Sequence, residues 1–401
     1  MRRRTGLVVL VLAATCTLAA AAADAHSAKQ ALAPTIGGLM RAAGGASGAW
    51  VADGTDSRPL YSLNADTRRT PASVEKLLTT TTALERFGDS EHLETRVSHD
   101  GTLDEDGVLE GNLYLHGVGD PSFETSNLAQ LATRIRDAGI SDVTGRVYGD
   151  ESYFDSRRGP WGFQTSRDVG PLSALSLNEG MLKGFGGGFQ ANPPSFVAQR
   201  LDAWLDIRDV DVARAPRAGK SPHTTEPVAA VQSPSIAALV RWTNHISDNY
   251  YAEMLLKGLG ARFGKAGSTA AGAGVVRNFQ KGLGVNSTVV DGSGLSRGNS
   301  ISPHAVGRLL IAAQGRPWFD SLYRSLPLAG HKGTLRKRMR HTAAAGRCRA
   351  KTGTLRGVSG LAGYCRSRAG RKYVFALLMN GVNIYRARAV QDRIAAALAS
   401  R

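Results

Sequence analysis

Residues 70–88 read TPASVEKLLTTTTALERFG, a stretch that carries both a helix and a candidate nucleophile. Thr70-Pro71 has the form of a helix start, a capping residue followed by proline at the first helical position, where a missing N–H costs nothing. Val74, Leu77, Leu78, Thr81 and Leu84 then recur at helical spacing, and Gly88 closes the run. With Thr70 as cap, Ser73 falls at the third helical position, where the backbone N–H has no partner inside the helix. Such a donor, backed by the positive end of the helix dipole, can stabilise an oxyanion. Ser73 and Lys76 share a helix face, so their side chains can meet. A serine hydroxyl is a poor nucleophile until a base takes its proton. Lys76 can be that base only when neutral, a state favoured by burial and by nearby positive charge such as Lys351. Alone, the pair reads better as a capping serine beside a solvated lysine.

The surroundings of this helix set the architecture. Before it, Ala49-Trp50-Val51-Ala52, a turn at Asp53-Gly54 and Leu60-Tyr61-Ser62-Leu63 predict a β-hairpin. After it, residues 95–230 are rich in Gly, Asp and Ser, with short strand-like pieces such as Leu113-Tyr114-Leu115, and read as a β-rich insertion. Helical periodicity returns after Ser233-Pro234 and continues at Tyr250 to Leu259, then near 268–283 and 302–313. Three strand candidates follow at 346–354, 358–366 and 372–380, and a last helix at about 386–399. That helix carries Arg386, Arg388 and Arg393, which would suit a membrane surface, but packing on the preceding sheet is the expectation. The fold class is therefore α/β. A discontinuous domain, residues 26–94 plus 231–401, is expected to enclose an inserted domain at 95–230.

Two further short motifs give the first one weight. Ser247-Asp248-Asn249 joins two expected helices, and Lys351-Thr352-Gly353-Thr354 lies on a strand followed by another strand. Ser247 is expected to bridge Lys76 and Lys351 and to relay a proton to a leaving group. Asn249, with a donor and an acceptor, suits holding a substrate amide, while Asp248 fixes the turn. Lys351, Thr352 and Thr354 would hold a terminal carboxylate, with the N–H of Thr354 as second oxyanion donor. Gly353 would let substrate approach the strand closely. The expected catalytic set is Ser73, Lys76, Ser247 and Lys351; the expected substrate-binding set is Asn249, Thr352, Gly353 and Thr354.

These three motifs, in this order, are the signature of penicillin-binding proteins and serine β-lactamases. The chain further resembles the low-molecular-mass class C penicillin-binding proteins, the D-alanyl-D-alanine carboxypeptidase/endopeptidase family. Gly117-Val118-Gly119-Asp120-Pro121, Gly149 to Asp155, Pro171-Leu172-Ser173-Ala174-Leu175, Asp291 to Arg297 and Gly333-Thr334-Leu335 resemble segments of that family. The gap of 174 positions from Ser73 to Ser247 fits a family with extra domains between the first two motifs; class A β-lactamases have a much shorter one. The resemblance implies a penicillin-binding transpeptidase-like domain, an antiparallel sheet flanked by helices. It implies hydrolysis of D-alanyl bonds in peptidoglycan stem peptides through an acyl-enzyme on Ser73, with β-lactam antibiotics as covalent inhibitors. A β-lactamase and a non-catalytic peptidoglycan-binding protein are the alternatives. Some members bind the free amine of the peptide side chain with an acidic residue. The loop Pro160 to Gln164 offers none, so Asp150, Asp155 and Asp168 are the candidates.

Composition bounds the rest. The 401 residues carry 50 Lys and Arg against 33 Asp and Glu, a net charge of +17. Charge of this sign draws a protein to anionic polymers of a cell envelope, or reflects an arginine-rich composition. With aromatics at 6% and no basic run, nucleic acid is not expected as a partner. Arg2 to Arg4, the apolar run Gly6 to Ala14 and Ala23-Asp24-Ala25 have the form of a signal peptide over residues 1–25, with an uncleaved anchor as the alternative. No later segment is long and apolar enough to span a membrane, so an exported chain is expected. Thr15 before Cys16 argues against a lipoprotein site. Cys348 lies eight residues before Arg356 and Cys365 eight after Gly357. In a hairpin turning at 356–357 they face each other, which predicts a disulfide. The histidines show no metal-ligand spacing, and no metal or cofactor is expected. Asp291 stands where a nucleophile elbow around Ser293 needs glycine, which argues against a Ser-His-Asp hydrolase.

Overall fold

The computed structural model describes residues 32–159, 168–182 and 187–401. The expected signal segment with Cys16, and the loop Pro160 to Gln164, lie outside the described residues.

Two parts of the chain remote in sequence share one sheet. Five antiparallel strands run in the order Cys348–Leu355, Val358–Arg366, Lys372–Asn380, Ala46–Asp53, Pro59–Leu63. The expected hairpin and all three C-terminal strand candidates are present. Both faces are buried, so alternate residues feed two cores. Leu361, Phe375 and Leu377 pack with Val390, Ile394 and Leu398 of the helix Ile384–Ala399 and with Leu32 and Ile36 of the helix at residues 32–43. Ala362, Val374 and Leu378 pack on the other face with Leu77, Leu78, Leu239, Leu255 and Leu309 of the intervening helices. Each such leucine contributes roughly 1.5–3 kcal/mol by leaving water. The last helix thus lies on the sheet, as its apolar stripe requires.

Between Glu94 and Gln232 a second, mixed sheet of seven strands forms. Its central strand Asp142–Asp150 runs parallel to Val108–Glu110, Leu113–His116 and Asp211–Ala218. This segment was expected to be β-rich; it also holds the helices Thr125–Asp137 and Pro193–Asp206. Parallel neighbours need crossover connections, and helices supply them. The helical spacing of Leu128, Leu131, Ala132 and Ile135 is legible, but it is diluted by flanking Gly, Asp and Ser. These side chains, with Val197 and Leu201, cover Leu113, Leu115, Val143 and Val147.

One buried cation ties the second sheet's connections to the helices. Lys257 Nζ lies 2.7 Å from Asp155 Oδ1 and also donates to the carbonyls of Asp155 and Arg157. Burial lowers its pKa, and the Asp155 hydrogen bond and charge oppose the shift.

Candidate active site

The first motif does not begin as a regular α-helix. Ala72–Glu75 is a 3-10 turn with Pro71 as its N-cap residue, and the α-helix runs from Lys76 to Phe87. Thr70 therefore does not cap; its hydroxyl reaches the Arg297 carbonyl at 3.4 Å. The reason is a close approach. The strand Cys348–Leu355 lies so near that a Cβ on Gly353 would stand 2.6 Å from the Pro71 carbonyl oxygen and 3.1 Å from Ser73 N. The space left by Gly353, expected to admit substrate, is thus taken by the protein's own backbone. Ala72, at φ +50°, is in the left-handed region that disfavours a side chain. Such strain costs about 1–3 kcal/mol and survives only where packing over-determines it.

Lys76 is fully buried and its ammonium is triply held. Its Nζ lies 3.3 Å from Ser73 Oγ, 2.6 Å from Asn249 Oδ1 and 2.6 Å from the Ser293 carbonyl oxygen. Ser247 was expected to bridge the two lysines; among the described residues its hydroxyl bonds Lys351 and not Lys76, with Lys351 Nζ 2.7 Å from Ser247 Oγ. The contact expected from Ser247 to Lys76 is made by Asn249 and Ser293 instead. Ser247 lies in the left-handed region at φ +66°, between the helices Ile236–His245 and Asn249–Phe263. Asp248 caps the second of these by accepting from Tyr251 N–H at 3.0 Å, so it fixes the turn as expected.

The electrostatics distinguish the two lysines. Burial lowers Lys76 to about 8, and the carboxylates of Glu253, Asp248, Asp291 and Glu75 resist the shift. Lys351, also fully buried, is pushed well below the usual lysine range by burial and then by the Lys76 charge. The expected lysine–lysine repulsion is therefore felt at Lys351, while burial sets Lys76.

Beneath Lys76 lies a carboxyl cluster that sequence reading did not single out. Glu253 accepts from Gly292 N–H and Ser293 N–H, and Asp291 accepts from Gly294 N–H and Ser296 N–H. Together they shape the 291–296 loop so that the Ser293 carbonyl meets Lys76. Glu253 follows Asn249 by one helical turn, which was a readable signal. Burial, then Asp291, raises Glu253 to about 8. Glu75 is fully buried with neither carboxyl oxygen hydrogen-bonded among the described residues; burial first, then Asp291 and Glu253, push its pKa well up.

Above the lysines an open cavity of about 540 Å³ is lined by Ser73, Ser247, Asn249, Thr352 and Thr354. Thr334 Oγ1 is 2.8 Å from Thr352 Oγ1, and Arg388 donates to Thr354 Oγ1 at 3.0 Å. Lys337 and Arg338 also line the cavity and were not foreseen. Of the three candidate acids, Asp150 is held by His116, Ser152 and Ser221, and Asp155 by Lys257. Asp168 lines the cavity itself. Cys348 and Cys365 face each other in register and are disulfide-bonded, as predicted from the hairpin. The cavity thus gathers a hydroxyl beside a buried amine, a carboxamide, a second hydroxyl–amine pair and a cationic wall. That set suits nucleophilic attack on a carbonyl followed by loss of an amine.

Comparison with known proteins is consistent with this chemistry. Residues 30–184 and 190–401 match the D-Ala-D-Ala carboxypeptidase 3 (S13) family. A D-alanyl-D-alanine carboxypeptidase of an Actinomadura species is 29% identical over 89% of this chain and 81% of its own length. Carboxypeptidase DacB of Mycolicibacterium smegmatis is 28% identical over 87% of this chain and 79% of its own. Penicillin-binding protein 4 of Haemophilus influenzae superposes with a TM-score of 0.78 at 21% identity, covering 90% of this chain and 97% of that one. A predatory peptidoglycan endopeptidase of Bdellovibrio bacteriovorus superposes at 0.58 with 16% identity, covering 84% and 86%.

Proposed function

Because the chain belongs to the D-Ala-D-Ala carboxypeptidase 3 (S13) family, we propose that it cleaves D-alanyl bonds of peptidoglycan stem peptides through an ester on Ser73. The observation that carries this reading is the placing of Lys76 Nζ within 3.3 Å of Ser73 Oγ in a cavity shared with Ser247 and Asn249.

Lys76, neutral above about pH 8, takes the Ser73 proton as the oxygen attacks the penultimate D-alanine carbonyl. The N–H groups of Ser73 and Thr354 hold the oxyanion, the first because the opening N–H groups of a helical turn lack internal partners. Asn249 Oδ1 is occupied by Lys76, so its amide N–H₂ remains to bind a substrate carbonyl. Thr352 and Thr354 hold the terminal carboxylate, with Arg388 supplying positive charge behind them and Lys351 Nζ donating to the Thr352 carbonyl. The C–N bond breaks as the leaving amine takes up the proton that Lys76 removed from Ser73, while Ser247 Oγ, held by Lys351 Nζ, faces the same cavity. Water then attacks the ester, with Lys76 again as base, freeing Ser73 and a carboxylic acid.

Asp168, on the cavity wall, is the acid we place against a free amine on the substrate's side chain. A relative, penicillin-binding protein 4 of H. influenzae, has been seen with a β-lactam bound; the same serine here is the expected site of acylation. Export, from the signal-like residues 1–25, belongs to this reading, as does a wall location. Among the described residues no helix is long and apolar enough to cross a membrane.

Fluorescent penicillin tests the assignment. Stable label on the wild-type chain, absent in Ser73→Ala, is the expected result. Rapid loss of label would mark a β-lactamase, and no label on the wild type would overturn the acyl-enzyme.

A further inference from the structure

A second open cavity, of about 610 Å³, shares no lining residue with the one around Ser73. It is framed by the segment after the strand Pro59–Leu63, by the short strand Ser287–Thr288 and by the first turns of the helix Pro303–Gln314. Its lining includes Asp66, Arg68, Asn286, Ser302, His304 and Arg308. The acyl-transfer chemistry uses none of these groups.

The cationic side chains here are held in place. Arg68 Nη2 donates to Thr288 Oγ1 at 2.6 Å and to the Ser300 carbonyl at 2.9 Å, so its Nε and Nη1 remain to donate elsewhere. Arg308 lies against Gly284, where φ is +67° and a Cβ would stand 2.4 Å from Arg308 Nη2. That nitrogen reaches the Leu283 carbonyl only at 3.5 Å. His304 stacks on Trp50 with ring centroids 5.4 Å apart, and its Nδ1 is 2.8 Å from Asp66 Oδ1. Asp66 alone among the lining residues carries a carboxylate, and it is directed to His304. Among the described residues neither arginine has a carboxylate within ion-pairing distance. Ser302 is buried and accepts from Ala305 N–H at 3.1 Å, while its own O–H has no acceptor among the described residues.

One space is thus lined by two anchored guanidiniums, the remaining nitrogen of an imidazole, a buried hydroxyl and the Asn286 amide. An apolar occupant would leave these donors unanswered. They come from three separate segments, which suits a tetrahedral anion with several oxygens better than a flat carboxylate, whose two oxygens one guanidinium fork already satisfies. We propose that this cavity is a second ligand site that takes a phosphate group, carried by a small molecule or by a phosphodiester polymer. The net charge of +17 draws such anions to the chain, and the cavity gives them a defined seat. This site is separate from Ser73 and does not depend on the reaction assigned there.

Isothermal titration calorimetry of the full chain with inorganic phosphate, glycerol 3-phosphate and poly(glycerol phosphate), at physiological ionic strength, tests this. At least one of the three should bind, and Arg68→Gln/Arg308→Gln should weaken it about tenfold or more, the loss of charge-assisted hydrogen bonds. Arg336→Gln/Arg340→Gln removes the same charge from exposed positions outside the cavity lining. It should leave the affinity within about twofold, because distant exposed charges are screened. Arg308→Gln alone gives up a single 3.5 Å contact and supplies the reading if the double variant does not melt cooperatively. Binding of the small phosphates assigns a small ligand; binding of the polymer alone assigns the polymer. The proposal is overturned if none of the three binds or if poly(glutamate) binds as tightly as the phosphate ligand. It is overturned equally if both double variants lose affinity alike or neither does.

Discussion

Lys76 Nζ lies 2.6 Å from Asn249 Oδ1 and 3.3 Å from Ser73 Oγ, so the amine is anchored by the second motif while it faces the nucleophile. The carboxamide accepts from the lysine without adding charge, and this lets burial bring the amine to about 8.

The pH dependence of acylation follows. The fraction of neutral Lys76 rises about tenfold per pH unit below its pKa, so kcat/KM should climb from pH 6 and level off above about 8. Asn249→Asp puts a carboxylate on the ammonium, favours the charged form and should move that limb up by about one unit or more. A flat profile between pH 6 and 9 in the wild type would remove Lys76 from the role of base.

Gly353→Ala should damage the nucleophile rather than the substrate pocket. The new methyl would stand 2.6 Å from the Pro71 carbonyl and 3.0 Å from Val74 N, both backbone atoms. Relief requires the 3-10 turn to shift, at about 1–3 kcal/mol. Acylation by penicillin should slow at least about 100-fold, since small misplacements of reacting groups carry such costs. Unchanged acylation would show that the turn has room to yield.

Glu75→Gln separates a neutral carboxyl from an ion pair with Lys76. The folded pKa of Glu75 is raised, so its favourable contribution is whole below the unfolded value near 4.5 and is lost as pH rises toward the folded value. Glutamine does not ionise and escapes that loss. The melting temperature of the variant, relative to wild type, should therefore rise by about 2 °C or more between pH 4.5 and pH 7.5. A relative fall over the same range would mean that Glu75 is ionised in the folded protein.

The disulfide closes a loop with a sequence separation of 17 on the strand that carries Lys351. A loop of this length is worth about 3 kcal/mol in the chain-entropy account. Cys348→Ser/Cys365→Ser should lower unfolding stability by about that amount in a denaturant titration. Equal midpoints for the two proteins would count against it.

Much of this was open to sequence reading because it is local. The strands at 358–366 and 372–380 are short apolar runs bounded by turns, and the helices at 236–263 and 303–314 repeat at helical spacing, so local pattern identified them. Ser73, Lys76, Ser247, Asn249 and Lys351 stood out through three short motifs in order. The helices of the insertion were hidden by a composition typical of turns. The 3-10 start at Ala72 was hidden because its cause, Gly353, is 281 residues away in sequence.

The one-dimensional chain determined which residue types could do the chemistry and which faces must be buried, because both depend on side-chain identity and short spacing. Only the folded chain decided which groups meet. Asn249 and Ser293, not Ser247, hold Lys76; Asp168, alone of three candidate acids, reaches the cavity; and Gly353 makes room for Pro71. Each outcome depends on how remote segments dock, and docking is settled by the packing of two cores and the close approach of backbones rather than by any local preference.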